Sequence, residues 1–152
     1  QPEIKVSELC GETACLYEAP ADWKSLCEQF GIGSKIGNAV KSLSGGERQR
    51  LFIVLALIPN PDLVFLDELT TGLDAKARRD VWKILQELKQ GGLTIFLTSH
   101  FMDEVEILCD EICILKQGKA VFYGTVEQAK AVSGCEKFED AYLMLSGEEV
   151  GE

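Results

Sequence analysis

Leu63-Val64-Phe65-Leu66-Asp67-Glu68 is the stretch whose reading decides the fold. Four apolar residues in a row suit either a buried strand or a piece of buried helix. The shortness of the run and the prolines just before it, Pro59 and Pro61, favour the strand. Residues 74–90 then place Ala77, Val81, Ile84, Leu85 and Leu88 on one face of an amphipathic helix, which Gly91-Gly92 ends. Residues 93–98 read as a second buried strand, rich in β-branched and apolar side chains. Strand, helix, strand and helix in succession make an α/β domain with a parallel sheet.

Upstream lies Leu43-Ser44-Gly45-Gly46-Glu47-Arg48-Gln49-Arg50, followed by the apolar run 51–58. Ser44 and Glu47 have the spacing of a capping box, in which a Ser at the N-cap and a Glu at N3 satisfy free amides. That leaves the two glycines unexplained, since each costs roughly 1 kcal/mol against alanine inside a helix. What glycine offers is a bare backbone that a ligand can approach closely. A helix start with exposed N–H groups and no Cβ in the way is an anion site suited to phosphate.

The first forty residues read as a small helical region. Ile4 and Val6 alternate briefly, and residues 7–17 suggest a poor helix interrupted by Gly11 and broken by Pro20. Trp23, Leu26, Cys27 and Phe30 recur at helical spacing, and Gly31 ends that helix. The glycines at 31, 33 and 37 suggest a phosphate loop, but no register fits G-x-x-x-x-G-K-[ST], so the stretch reads as a linker. Beyond residue 98, residues 101–109 are helical. Residues 111–115 and 120–123 flank Lys-Gln-Gly-Lys as a hairpin. Thr125 and Gln128 cap a short helix, and residues 138–145 form a last one.

Composition narrows the function classes. The 152 residues carry a net charge of −10, which argues against nucleic acid, where lysine and arginine must neutralise phosphates. The same charge disfavours direct docking on an anionic membrane surface. The apolar run 51–58 is far too short to span a bilayer, and no basic region precedes an apolar stretch at the start, so the expectation is a soluble chain without a signal peptide. The six cysteines contain no C-x-x-C pair and read as reduced, small hydrophobes rather than a zinc site.

Ligands of open α/β sheets bind beyond the carboxyl ends of the strands, which is where Asp67, Glu68, Ser99 and His100 are expected. In nucleotide hydrolysis an Asp at the end of an apolar strand helps hold Mg²⁺, while a second group orients the attacking water. Asp67 and Glu68 suit those two roles. His100 is the only histidine in the chain and closes the second strand.

Four segments in this order resemble those of an ABC-transporter ATPase. Leu-Ser-Gly-Gly-Glu at 43–47 is similar to the signature motif and Leu-Val-Phe-Leu-Asp-Glu at 63–68 to the Walker B strand. Thr-Gly-Leu-Asp at 71–74 is similar to the D-loop, and Thr-Ser-His at 98–100 to the H-loop with its switch histidine. The run 66–74 and the region around Pro20 and Trp23 look most like the multidrug or antibiotic-export type from bacteria. The resemblance implies a partial P-loop NTPase core with a parallel sheet and a helical subdomain. It divides the chain into a helical subdomain with the signature helix (1–58), the Walker B, D-loop and H-loop part (59–124) and C-terminal helices (125–152).

By the same resemblance, Ser44, Gly45 and Gly46, with Glu47 closing the motif, contact the γ-phosphate of an ATP held mainly by the opposite subunit. Asp67 coordinates Mg²⁺ through water, Glu68 polarises the attacking water and His100 reaches the γ-phosphate. Asp74 sits at the dimer interface and connects the two nucleotide sites. The implied partners are a second ATPase subunit, identical or different, and transmembrane permease subunits that hold the protein on the cytoplasmic face of the membrane. A soluble ABC-type ATPase acting on DNA or ribosomes is the alternative, as is a non-catalytic signature module.

Three departures stand out. Glu47 replaces a frequent Gln, and Leu69 replaces a frequent proline, which frees Glu68 from the backbone restriction a following proline imposes. No Walker A loop is present, so the P-loop lysine and the hydroxyl ligand of Mg²⁺ are missing. The resemblance places the P-loop strand between the strands at 93–98 and 111–115. The expectation is therefore the C-terminal part of a longer ATPase, inactive by itself.

Overall fold

The computed structural model describes residues 4–147. Contacts divide the chain between Thr98 and Ser99 into two compact units.

The first unit begins with helix α1, Val6–Ala14. Val6 and Cys10, one helical turn apart, are fully buried. The helix runs through Gly11, against the sequence expectation, because that packing outweighs a glycine cost of about 1 kcal/mol. Val6 is already helical, and Lys5 instead forms an isolated antiparallel bridge with Ala39. Helix α2, Trp23–Gln29, starts at Asp22, whose carboxylate accepts from the Lys24 amide at 3.1 Å. The stretch after it is no linker. Ile32 is fully buried, and Gly33–Lys35 forms a 3-10 turn in contact with α2. A single isoleucine between glycines carries no periodic signal, so its burial is invisible in the sequence. Cys10 and Cys27 are hydrogen-bonded side chain to side chain, both buried, where α1 meets α2.

A second 3-10 turn, Val40–Ser42, leads to helix α3, Gly45–Leu57. Leu51, Ile53, Val54 and Leu57 are buried, and α3 contacts α1, α2 and strand β1, Leu63–Asp67. Helix α4, Ala75–Gln90, follows, with Asp74 as N-cap accepting from the amides of Lys76 and Ala77. Val81 and Leu85 are buried as expected, and so is Trp82, whose bulk extends the apolar face.

Strand β2, Thr94–Thr98, pairs parallel with β1 in the register Leu63↔Thr94 to Asp67↔Thr98. Both strands read as buried runs, yet only one face of β1 is buried. Val64 and Leu66 point inward, while Phe65 is 69% exposed. Phe96 of β2 is also exposed and packs its ring on Phe65, with centroids 5.3 Å apart. A strand covered on both faces needs two layers. Among the described residues of this unit only one face of β1 has a covering layer.

The second unit holds helix α5, Met102–Leu108, and an antiparallel hairpin of strands β3, Ile112–Lys116, and β4, Lys119–Gly124. Gln117 and Gly118 both have positive φ, 50° and 76°, the geometry that two-residue hairpin turns need. Helix α6, Val126–Ser133, opens with the expected capping box of Thr125 and Gln128, and helix α7, Phe138–Ser146, follows. Ile112, Ile114, Val126, Ala129, Phe138 and Ala141 form the core of this unit, with Met102, Val105 and Cys109 packed against it. Among the described residues β1–β2 and β3–β4 are separate sheets, so β2 and β3 do not pair.

Candidate functional site

The first part of the site is the start of α3. Ser44 is its N-cap, with Oγ accepting from the Glu47 amide at 3.3 Å, while the Ser44 amide donates to the Glu47 carboxylate at 2.8 Å. The capping box is therefore present. Glu47 also pairs with Lys35 Nζ at 3.1 Å. The Ser44 amide first, and then Lys35, hold its carboxyl at about 2, well below the usual 4.5. Lys35 carried no signal in the sequence, because an ion pair between distant segments has no local pattern.

The two glycines turn out to differ. A Cβ on Gly45 would meet nothing within 4 Å, whereas one on Gly46 would lie 3.1 Å from Leu73 Cδ2. Gly46 thus has a packing reason as well as the one read from the sequence. Leu73 is buried beneath it and adjoins Asp74. The start of α3 and the loop 71–74 are thereby brought together. The amides of Gly45 and Gly46 are among those that a helix start leaves without an intrahelical acceptor.

The second part is the carboxyl end of the β1–β2 sheet. Asp67 ends β1 opposite Thr98, whose hydroxyl donates to the Asp67 carboxylate. The Glu68 amide donates to the Thr98 carbonyl at 3.1 Å, and the Glu68 carbonyl accepts from the Thr71 amide at 3.1 Å. Held from both sides, Glu68 adopts φ 44°, a left-handed conformation that costs a non-glycine residue roughly 1–2 kcal/mol. Leu69, buried to 3% exposure, anchors the turn from below. A proline there would restrict the conformation of Glu68, so the departure at Leu69 bears directly on a candidate catalytic residue. Thr98, read only as part of a motif, is the residue that ties Asp67 and Glu68 together.

His100 lies in the second unit, two residues beyond Thr98. Its ring stacks at a tilt on Phe101, with centroids 4.1 Å apart. Ser99 Oγ donates to Glu104 Oε2 and accepts from the Phe101 amide at 3.0 Å.

No group of three or more His, Cys, Asp or Glu side chains among the described residues could hold a metal by itself. Asp67 suits a different arrangement. Mg²⁺ keeps several waters and is bound through one or two carboxylates plus substrate phosphates. An exposed carboxylate at a strand end, with one oxygen engaged by Thr98 and another remaining, fits that donor set.

Together these features define an α/β fold with a parallel sheet that carries its acidic residues at the carboxyl ends of the strands, as nucleotide-using folds do. A family profile described as ABC transporter matches residues 1–71. The daunorubicin/doxorubicin resistance ATP-binding protein DrrA of Streptomyces peucetius is 39% identical over 109 residues, 72% of this chain and 33% of that protein. The Nod factor export ATP-binding protein I of Rhizobium etli is 43% identical over 116 residues, 76% of this chain and 37% of that protein. A solved structure of an ATP-binding subunit of an ABC transporter shares the fold, with a TM-score of 0.83 and 24% identity over 96% of this chain and 64% of that one. Over most of its length the chain is similar to ATP-binding proteins of ABC transporters. It spans about a third of the length of the curated relatives it matches. No helix among the described residues is long and apolar enough to cross a membrane.

Proposed function

We propose that this chain carries the signature, Walker B, D-loop and H-loop elements of an ATP-hydrolysing subunit that powers an ABC exporter. The observation that carries this reading is the start of α3, where a serine N-cap is followed by two glycines, the first open to solvent and the second packed on Leu73, next to Asp74. The roles that the similar proteins are named for, drug resistance and Nod factor export, support the exporter class. The three-part division at residues 58 and 124 belongs to the same proposal.

Ser44 and the amides of Gly45 and Gly46 bind the γ-phosphate of an ATP held by the opposite subunit. Hydrolysis therefore waits for the two subunits to close, and Asp74, at their interface, links one site to the other. Mg²⁺, when bound with the nucleotide, neutralises charge on the phosphate oxygens, and Asp67 holds it through water. Glu68 orients the attacking water, and His100 reaches the γ-phosphate. Phosphoryl transfer needs mainly positioning and charge stabilisation, which these groups supply. No G-x-x-x-x-G-K-[ST] occurs in the 152 residues, so the phosphate-binding lysine comes from outside them. Transmembrane permease subunits tie the assembly to the cytoplasmic face of the membrane.

The test is ATP turnover in the subunit with its P-loop part present. Glu68→Gln is expected to lower the rate by about 10²-fold or more while nucleotide still binds. Ser44→Arg is expected to block closure of the nucleotide sandwich. Wild-type turnover in both variants refutes the proposal, and rapid ATP hydrolysis by these 152 residues alone refutes the assignment of the lysine to another segment.

A further inference from the structure

Glu104 is a carboxylate with no exposed surface, on the first turn of α5. Burying a carboxylate is costly unless hydrogen bonds compensate, so its place needs a reason. Its Oε2 accepts from the Ser99 hydroxyl, and the same hydroxyl oxygen accepts from the Phe101 amide. Residues 99 and 101 are thus tied to one point, with His100 between them. Helix α5 is itself fixed, because Met102, Val105 and Cys109 pack against the core of the second unit. The clamp therefore transmits the position of a packed helix to an exposed imidazole that also leans on Phe101.

We propose that Glu104 is a positioning residue for His100: through Ser99 it fixes the backbone on both sides of the histidine. This rests on the role given to His100 above. Without the clamp, His100 samples conformations in which it does not reach the phosphate. The chemical step slows, and substrate affinity, set by other groups, is kept.

The experiment measures kcat and KM for ATP in the subunit with its P-loop part present. Glu104→Ala is expected to lower kcat at least tenfold and to leave KM within about twofold. Glu104→Gln, whose amide oxygen still accepts from Ser99, is expected to restore most of the rate. In a His100→Ala background, Glu104→Ala is expected to cost nothing more, because residues that act through one another are not additive. Should Glu104→Ala fail to fold, Ser99→Ala removes the same hydrogen bond and is expected to give the same kcat loss. Full additivity with His100→Ala, or a Gln variant as slow as the Ala variant, overturns the proposal.

A second readout separates this inference from the proposed function. That readout is the mobility of the His100 backbone amide, followed by NMR relaxation. Glu104→Ala is expected to mobilise the His100 backbone amide, and Glu104→Gln to leave it ordered. An unchanged amide in Glu104→Ala overturns the positioning role whatever the kinetics. Wild-type turnover in His100→Ala, with the amide mobilised in Glu104→Ala, overturns the proposed use of the histidine and leaves the clamp standing.

Discussion

Gly45→Ala separates what the fold asks of the α3 start from what the nucleotide asks of it. Gly45 is the first residue of α3, its φ is not positive, and an added Cβ meets nothing within 4 Å. Nothing in the fold requires glycine there. Alanine removes freedom from the unfolded chain, which at a compatible site stabilises by about 0.4–1 kcal/mol. For a chain of this size 1 kcal/mol moves the melting temperature by about 2–4 °C, so an increase of about 1–4 °C is expected in a thermal melt followed by circular dichroism. Gly46→Ala has the same entropic gain but puts a Cβ 3.1 Å from Leu73 Cδ2, and crowding of that kind typically costs about 1–3 kcal/mol. It is expected to melt no higher than the wild type. ATP turnover should run the other way for Gly45→Ala, falling about tenfold or more, because the methyl stands where a phosphate approaches the bare backbone. A more stable and less active protein is the signature of a residue kept for its ligand. A drop in melting temperature refutes the structural half of the reasoning, and wild-type turnover refutes the functional half.

Three further outcomes are expected. The Glu47 carboxyl titrates at about 2 in the folded chain, below its ordinary 4.5, so its contribution to stability is complete above 4.5 and is lost as the pH falls towards 2. Glu47→Gln should therefore flatten the acid limb of a melting-temperature profile within that window, and an unchanged limb counts against the hold of the Ser44 amide and Lys35 on this carboxylate. A thiol reagent should modify the exposed Cys15 and Cys113 quickly and reach Cys10 and Cys27 only on unfolding, since both are fully buried; rapid modification of all the thiols under native conditions would contradict their packing. Thr70 is fully buried, and its hydroxyl has no hydrogen-bond partner among the described residues, so Thr70→Val should be neutral or stabilising by about 1 kcal/mol in a denaturant titration, and a clear loss of stability would show that the hydroxyl is satisfied.

The parallel pairing of β1 and β2 and the helix between them were legible because apolar runs, a one-faced helix and double glycines are local signals. The capping box at Ser44 was legible for the same reason, since its two partners are three residues apart. The packing of Gly46 on Leu73, the Lys35–Glu47 ion pair and the tie from Thr98 to Asp67 join segments far apart in the chain. No spacing rule announces them. The conformation of Glu68 lay between the two cases. Leu69 signalled that the restriction was lifted, but the left-handed turn itself is imposed by the Thr98 and Thr71 hydrogen bonds on either side. The buried isoleucine at position 32 and the helix running through Gly11 went unread because tertiary packing overrode weak local preferences.

The parallel register also sets a schedule for synthesis. Asp67 pairs with a residue 31 positions further on, so β1 emerges from the ribosome well before β2 does. At about 5–20 residues per second that interval is roughly 2–6 s. Through it, Val64, Phe65 and Leu66 lack the strand that pairs with them in the folded sheet. Codon changes that slow the emergence of residues 68–98 lengthen this exposure, and so lower the yield of soluble protein without altering a single side chain.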